Sequence, residues 1–131
     1  MPDGNSTAHS TTTQFEISAD CPIRPLLDRL GDKWSLLIIT RLADAPKGKY
    51  RFSELKRIVD GISQRMLTIT LRNLERDGLV TREIFAEVPP RVEYQLTPIG
   101  HSFLEPASAL IQWMVANWPE IERQRQAFES R

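Results

Sequence analysis

The segment Ser53–Gly78, SELKRIVDGISQRMLTITLRNLERDG, constrains the fold more than any other part of the chain. Ser53 can cap a short helix running to about Val59, with Leu55, Ile58 and Val59 pointing inward. Asp60-Gly61-Ile62 then makes a turn, and Ser63 can cap a second helix that reaches Asp77 and stops at Gly78. Leu67, Leu71 and Leu74 recur at i, i+4 and i+7 as a buried stripe, and Thr70 falls near that side. At about 100° per residue, Arg65, Ile69, Arg72 and Arg76 lie on the opposite side. A short helix, a glycine-bearing turn and a longer helix make the helix-turn-helix pattern.

The flanking segments extend that unit. Val80, Ile84 and Ala86 alternate with Thr81, Glu83 and Phe85, as in a strand. Val88-Pro89-Pro90-Arg91 breaks the ladder, because proline lacks the N–H donor. Val92, Tyr94 and Leu96 alternate with Glu93 and Gln95 as a second strand, so the pair forms a hairpin, or wing, with Arg91 at its tip. Upstream, Pro22–Leu30 reads as a short helix ended by Gly31. Asp32 can cap a further helix with Trp34, Leu37, Ile38 and Leu42 on one stripe. Tyr50-Arg51-Phe52 is a candidate short strand. Thr97-Pro98 is a helix start, with Thr as N-cap and Pro at the first helical position. From Ile99 to Trp118 the apolar stripe is too wide for one contact face, so a second surface must cover part of it. Pro106 is expected to kink or interrupt that helix, and Pro119 to open a last one.

Composition narrows the function. A chain of 131 residues fits one domain. Seventeen basic and seventeen acidic residues give zero net charge, which excludes a histone-like basic protein but not a basic face. Between Lys47 and Arg91 there are ten basic and six acidic residues, so the positive charge gathers mid-chain. One cysteine, Cys21, excludes an intrachain disulfide. Two histidines, His9 and His101, make a metal cage implausible, and neither a metal nor a cofactor is expected. No grouping of acid, base and nucleophile suggests an enzyme. No run of about 18 apolar residues crosses a membrane, and the N-terminus is not a secretory signal, so a cytoplasmic location is expected. Residues 1–14 carry no large apolar side chain and read as a flexible arm, leaving 15–131 as a single domain. Its DNA-reading part is expected over about 50–97 and its C-terminal helices over about 98–128.

CPIRPLLDRLGDKWSLLIITRL, RFSELKR, GISQRMLTITLRNLERDGLVTRE and VPPRVEYQLTPIG resemble the HxlR-type winged-helix transcription regulators, bacterial relatives of the MarR group. The likeness runs from about Asp20 to about Trp118. It implies a mainly α fold with a small β-hairpin wing, an α+β winged helix-turn-helix dimerised through its N- and C-terminal helices. It also implies a homodimer that binds double-stranded operator DNA without catalysis. Where relatives often carry a longer polar side chain, this chain has Thr70.

The expected DNA contacts follow from that frame. A helix fits the major groove, where Arg65 and Arg72 can each fork onto guanine and Gln64 can pair with adenine. Ile69 suits a thymine methyl, Thr68 a base or phosphate, and Ser63 sits at the same helix start. Lys49, Arg51 and Lys56, with Lys47 and Arg57, are candidate phosphate contacts. Arg91 is expected at the minor groove or flanking phosphates. Phe15, Ile17, Phe103, Leu110, Trp113 and Met114 are expected in the dimer interface. Cys21 has two readings. It is a small buried hydrophobe, or an oxidant sensor whose thiolate is favoured by a helix N-terminus and Arg24. Some relatives use a cysteine at the matching position in the second way. A small-molecule effector is the other candidate input. The alternative to DNA binding is a winged-helix module for protein–protein contact, but that would not call for three arginines on the second helix.

Overall fold

In a computed structural model, residues 23–131 are described, and the chain divides at Lys33/Trp34 into two compact units. Phe15, Ile17 and Cys21 lie outside the described residues. The described part of the first unit is helix α1 (Ile23–Leu30), with exposed Ile23, Leu26 and Leu27.

Helix α2 (Lys33–Ala43) starts at that boundary, and the second unit continues through β1 (Tyr50–Arg51), α3 (Phe52–Ile58), α4 (Gln64–Arg76), β2 (Val80–Phe85), β3 (Arg91–Leu96), α5 (Pro98–Ser102) and α6 (Leu104–Glu129). The strands form one antiparallel sheet in the order β1-β3-β2. Val80 pairs with Leu96, Arg82 with Tyr94 and Phe85 with Arg91, while Arg51 pairs with Glu93 across β1 and β3. The core draws on every layer: Ile38, Ile39 and Leu42 from α2, Leu55 from α3, Leu67, Leu71 and Leu74 from α4, and Val80 and Leu96 from the sheet. The architecture is the mainly helical winged fold that the sequence implied.

Local chemistry explains the boundaries. Ser63 caps α4 by accepting from the Met66 N–H at 3.0 Å, and Gly78 takes φ +79°, a region that favours glycine, to end the turn after it. Thr97 ties two segments together. Its hydroxyl accepts from the Gly100 N–H at 3.1 Å and donates to the Gly78 carbonyl at 2.6 Å. Gly100 lies so close to the chain that a Cβ there would meet the Leu79 carbonyl oxygen at 2.2 Å. The wing root and the start of α5 are thus held together by two small residues.

Four expectations need correction. The short helix starts at Phe52, with Arg51 rather than Ser53 at its N-cap position, because the Glu54 carboxylate accepts from the Arg51 N–H at 2.7 Å. Phe52 therefore belongs to α3 and the strand is only Tyr50–Arg51. Pro106 does not interrupt a helix. The break falls at Phe103, and Pro106 sits in the first turn of α6, where a missing N–H costs nothing. Pro119 does not open a helix either. It lies inside the 26-residue α6, on an exposed stretch where water can take the carbonyl it leaves unbonded.

Candidate nucleic-acid interface

Helix α4 carries the site because its two sides differ. Leu67, Thr70, Leu71 and Leu74 are buried, and the Thr70 hydroxyl is satisfied by the Met66 carbonyl at 2.7 Å. Gln64, Arg65, Thr68, Ile69, Arg72 and Arg76 are all exposed, as is Ser63 just before them. Ile69 is 42% exposed between arginines, an apolar contact point that the protein's own core does not use. Among the described residues, Arg65 and Arg72 belong to no ion pair. The Thr68 hydroxyl is engaged, donating to the Gln64 carbonyl at 2.9 Å.

The hairpin is arranged differently from the expectation. Arg91 is the first residue of β3, opposite Phe85, and not at the tip of the turn. It pairs with Glu87 at 2.8 Å and with Glu93 at 3.1 Å, and its guanidinium lies 4.0 Å from the centre of the Phe85 ring. Lys49 pairs with the same Glu93 at 3.0 Å. Glu93 is only 13% exposed, and the Lys49 ammonium beside it, with the nearby charges of Arg91 and Arg51, holds its carboxyl below the ordinary 4.5. Lys49, Arg51 and Arg57 border a hollow of about 430 Å³ beside α3, together with Lys47, Glu54 and Glu93. Lys56 is exposed on the same helix.

Two residues missed from the sequence join the site. Arg82 of β2 and Tyr94 of β3 are cross-strand partners on the face turned towards α4. With Thr68, Arg72 and Glu75 they line a cleft of about 220 Å³. Arg82 pairs with Glu75 at 3.4 Å. Burial holds the Tyr94 phenol above its ordinary value of 10.0, so it is a hydrogen-bond donor at neutral pH. The signal was available: Val80 and Arg82 share one face of an alternating strand, so a charged residue stood two positions after a buried one, on the face beside α4.

Of the residues expected at a dimer interface, Phe15 and Ile17 lie outside the described residues, and three of the rest are exposed on α6. Trp113 is 58% exposed, and Leu110 and Met114 are also open, whereas Phe103 is half-buried at the break between α5 and α6. Among the described residues no group of His, Cys, Asp and Glu could hold a metal ion, and no helix is long and apolar enough to cross a membrane.

The HxlR-like helix-turn-helix family matches residues 29–122. The HTH-type transcriptional regulator YtfH of Escherichia coli, itself uncharacterised, is 41% identical over 101 residues, 77% of this chain and 78% of its own. A solved structure described as a transcriptional regulator, ytfH from Salmonella typhimurium, has a TM-score of 0.77 at 38% identity, covering 86% of this chain and 97% of that one. The redox regulator HypR in its reduced form has a TM-score of 0.69 at 40% identity, covering 79% and 99%. Such relatives are regulators and not enzymes. In this chain a helix with separate buried and basic sides stands beside a three-stranded sheet, and with these matches the chain belongs to the HxlR-like helix-turn-helix family of transcriptional regulators.

Proposed function

We propose that this regulator binds operator DNA as a homodimer, with α4 of each subunit in the major groove. The observation that carries the reading is the outward side of α4, where unpaired Arg65 flanks exposed Ile69. Arg65 is placed to fork onto guanine, Gln64 to pair with adenine and Ile69 to meet a thymine methyl. Residues about 50–97 form the DNA-reading part, and about 98–128 the dimerisation helices. The exposed Leu110, Trp113 and Met114 of α6 supply the apolar surface for a second copy. Two copies must set their reading helices about 34 Å apart, one turn of DNA.

Selection of duplexes from a random library tests this. Enriched sequences should contain two related half-sites about ten base pairs apart. Arg65→Ala should weaken the enriched site by about 1–3 kcal/mol and flatten its base preference. No enrichment, or equal binding by Arg65→Ala, refutes the groove assignment.

The reading extends to an oxidant input at Cys21, supported by the likeness to a protein named as a redox regulator. Diamide should then reduce operator binding by the wild type and spare Cys21→Ser. Equal responses would leave Cys21 as an inert side chain.

A further inference from the structure

We propose that the cleft between α4 and β2 is a phosphate clasp, in which Arg72 and Arg82 hold one backbone phosphate of duplex DNA and the Tyr94 hydroxyl donates to it. This rests on the DNA-binding reading above and assigns Arg72 to affinity rather than to base choice.

Placement comes first. On α4, Thr68, Arg72 and Glu75 occupy the side turned towards β2, one edge of the outward face. On the sheet, Arg82 and Tyr94 are directly opposed and present their side chains to that edge. The cleft therefore opens beside the surface that would enter a groove, where the groove wall is phosphate.

Chemistry comes second. Tyr94 is 8% exposed as a whole, but its hydroxyl is not among the fully buried polar atoms left without a partner, so its tip stays open to an acceptor in the cleft. The hydroxyl lies near enough to Arg82 and Glu75 to feel both charges, which places it in the cleft. Arg82 gives its Nε edge to Glu75 at 3.4 Å, leaving the terminal nitrogens of its fork for another acceptor. That pair is partly exposed and contributes little by itself, so it aims the guanidinium without consuming it. Two guanidiniums and one carboxylate leave the cleft with a single positive charge, suited to a phosphodiester. Thr68 is not a donor here, because its hydroxyl proton already goes to the Gln64 carbonyl.

The test uses the full-length protein and a short fluorescein-labelled duplex of random sequence, with anisotropy followed over a range of NaCl concentrations. Phosphate contacts do not depend on sequence, so no operator is needed. Arg82→Gln should flatten the log–log salt slope by about 0.9, the value for one phosphate. Tyr94→Phe keeps the buried ring and removes only the hydroxyl. It should weaken binding about tenfold, the scale of one hydrogen bond to a charged group, with no loss of melting temperature. Neither variant should change the preference for a selected operator over random duplex, whereas Arg65→Ala should. If the wild type binds duplex but both clasp variants keep its affinity and slope, the clasp is wrong and the groove reading stands. If the wild type binds no duplex, both fall. If inorganic phosphate stabilises the wild type but not Arg82→Gln, while DNA affinity ignores the substitution, the cleft is a free-anion site and the DNA assignment is overturned.

Discussion

Replacing Thr97 by valine preserves shape and deletes one hydroxyl that serves two bonds. The first is the N-cap of α5, accepting from Gly100 at 3.1 Å. Loss of such a cap costs about 1 kcal/mol. The second is the bond donated to the Gly78 carbonyl at 2.6 Å, nineteen residues away. A neutral bond of this kind contributes about 1 kcal/mol net. Both partners are backbone groups, and the Gly78 carbonyl can turn to water more readily than the Gly100 amide, which is part-buried. Thr97→Val should therefore cost about 2 kcal/mol. At about 4 °C per kcal/mol for a domain near this size, the melting temperature should fall about 8 °C. Thr97→Ser retains both bonds and should lie within about 0.5 kcal/mol of the wild type. Calorimetry at one fixed protomer concentration makes the comparison, since the melting temperature of the proposed dimer would move with concentration. If valine and serine variants melt together, the hydroxyl does not tie α5 to the wing root and the reasoning fails.

Gly100→Ala should destabilise more than Thr97→Val, by about 3 kcal/mol, because its Cβ would press on backbone at Leu79. Chemical denaturation checks the ranking, and a neutral alanine refutes the close approach. Glu93 has its folded pKa below the ordinary 4.5, so its contribution is present above that value and lost as pH falls through the folded one. Glu93→Gln should remove that acid-side dependence, seen as a flatter stability profile below about pH 4.5. Trp113→Glu places a charge on the exposed apolar face of α6 and should give a monomeric mass by light scattering if that face covers a second copy. A dimer that survives this change would move the interface elsewhere.

The legible parts of the fold were those set by local rules. The leucine period of α4, its Ser63 cap and its Gly78 stop depend on neighbours within a few residues, and all three stand as read. Pro106 and Pro119 misled because proline's cost depends on where the helix begins and on whether water reaches the orphaned carbonyl. Those facts belong to the packed chain. Arg91 was read by its place in the sequence, near a proline pair. Its partners are fixed by strand register and by the Lys49 segment, which brings a third element to Glu93. Arg82 and Tyr94 were missed because each looked like an ordinary strand residue until the sheet set them against α4.

Zero net charge and the proposed DNA binding are compatible because the carboxylates are not spread evenly. In the hairpin, Glu93 and Glu87 hold Lys49 and Arg91, and Glu93 is too shielded for solvent to compete well for those cations. On α4, Arg65 and Arg72 have no such partners among the described residues. Charge that is already matched releases few counterions when a phosphate approaches, whereas unmatched charge releases them fully. The proposed binding energy should therefore come mainly from α4 and the cleft beside it, where Arg82 is held by only one loosely placed carboxylate. The paired wing cations would keep the hairpin in shape. Glu87 is the more exposed of the two carboxylates on Arg91, so it is the one a phosphate could displace. Glu87→Gln should then steepen the salt dependence by freeing Arg91, while Glu93→Gln should loosen the wing and weaken binding. Opposite signs for these two substitutions, measured by anisotropy on one duplex, separate a carboxylate that competes with DNA from one that positions the hairpin. Equal signs would mean that Arg91 does not approach the backbone.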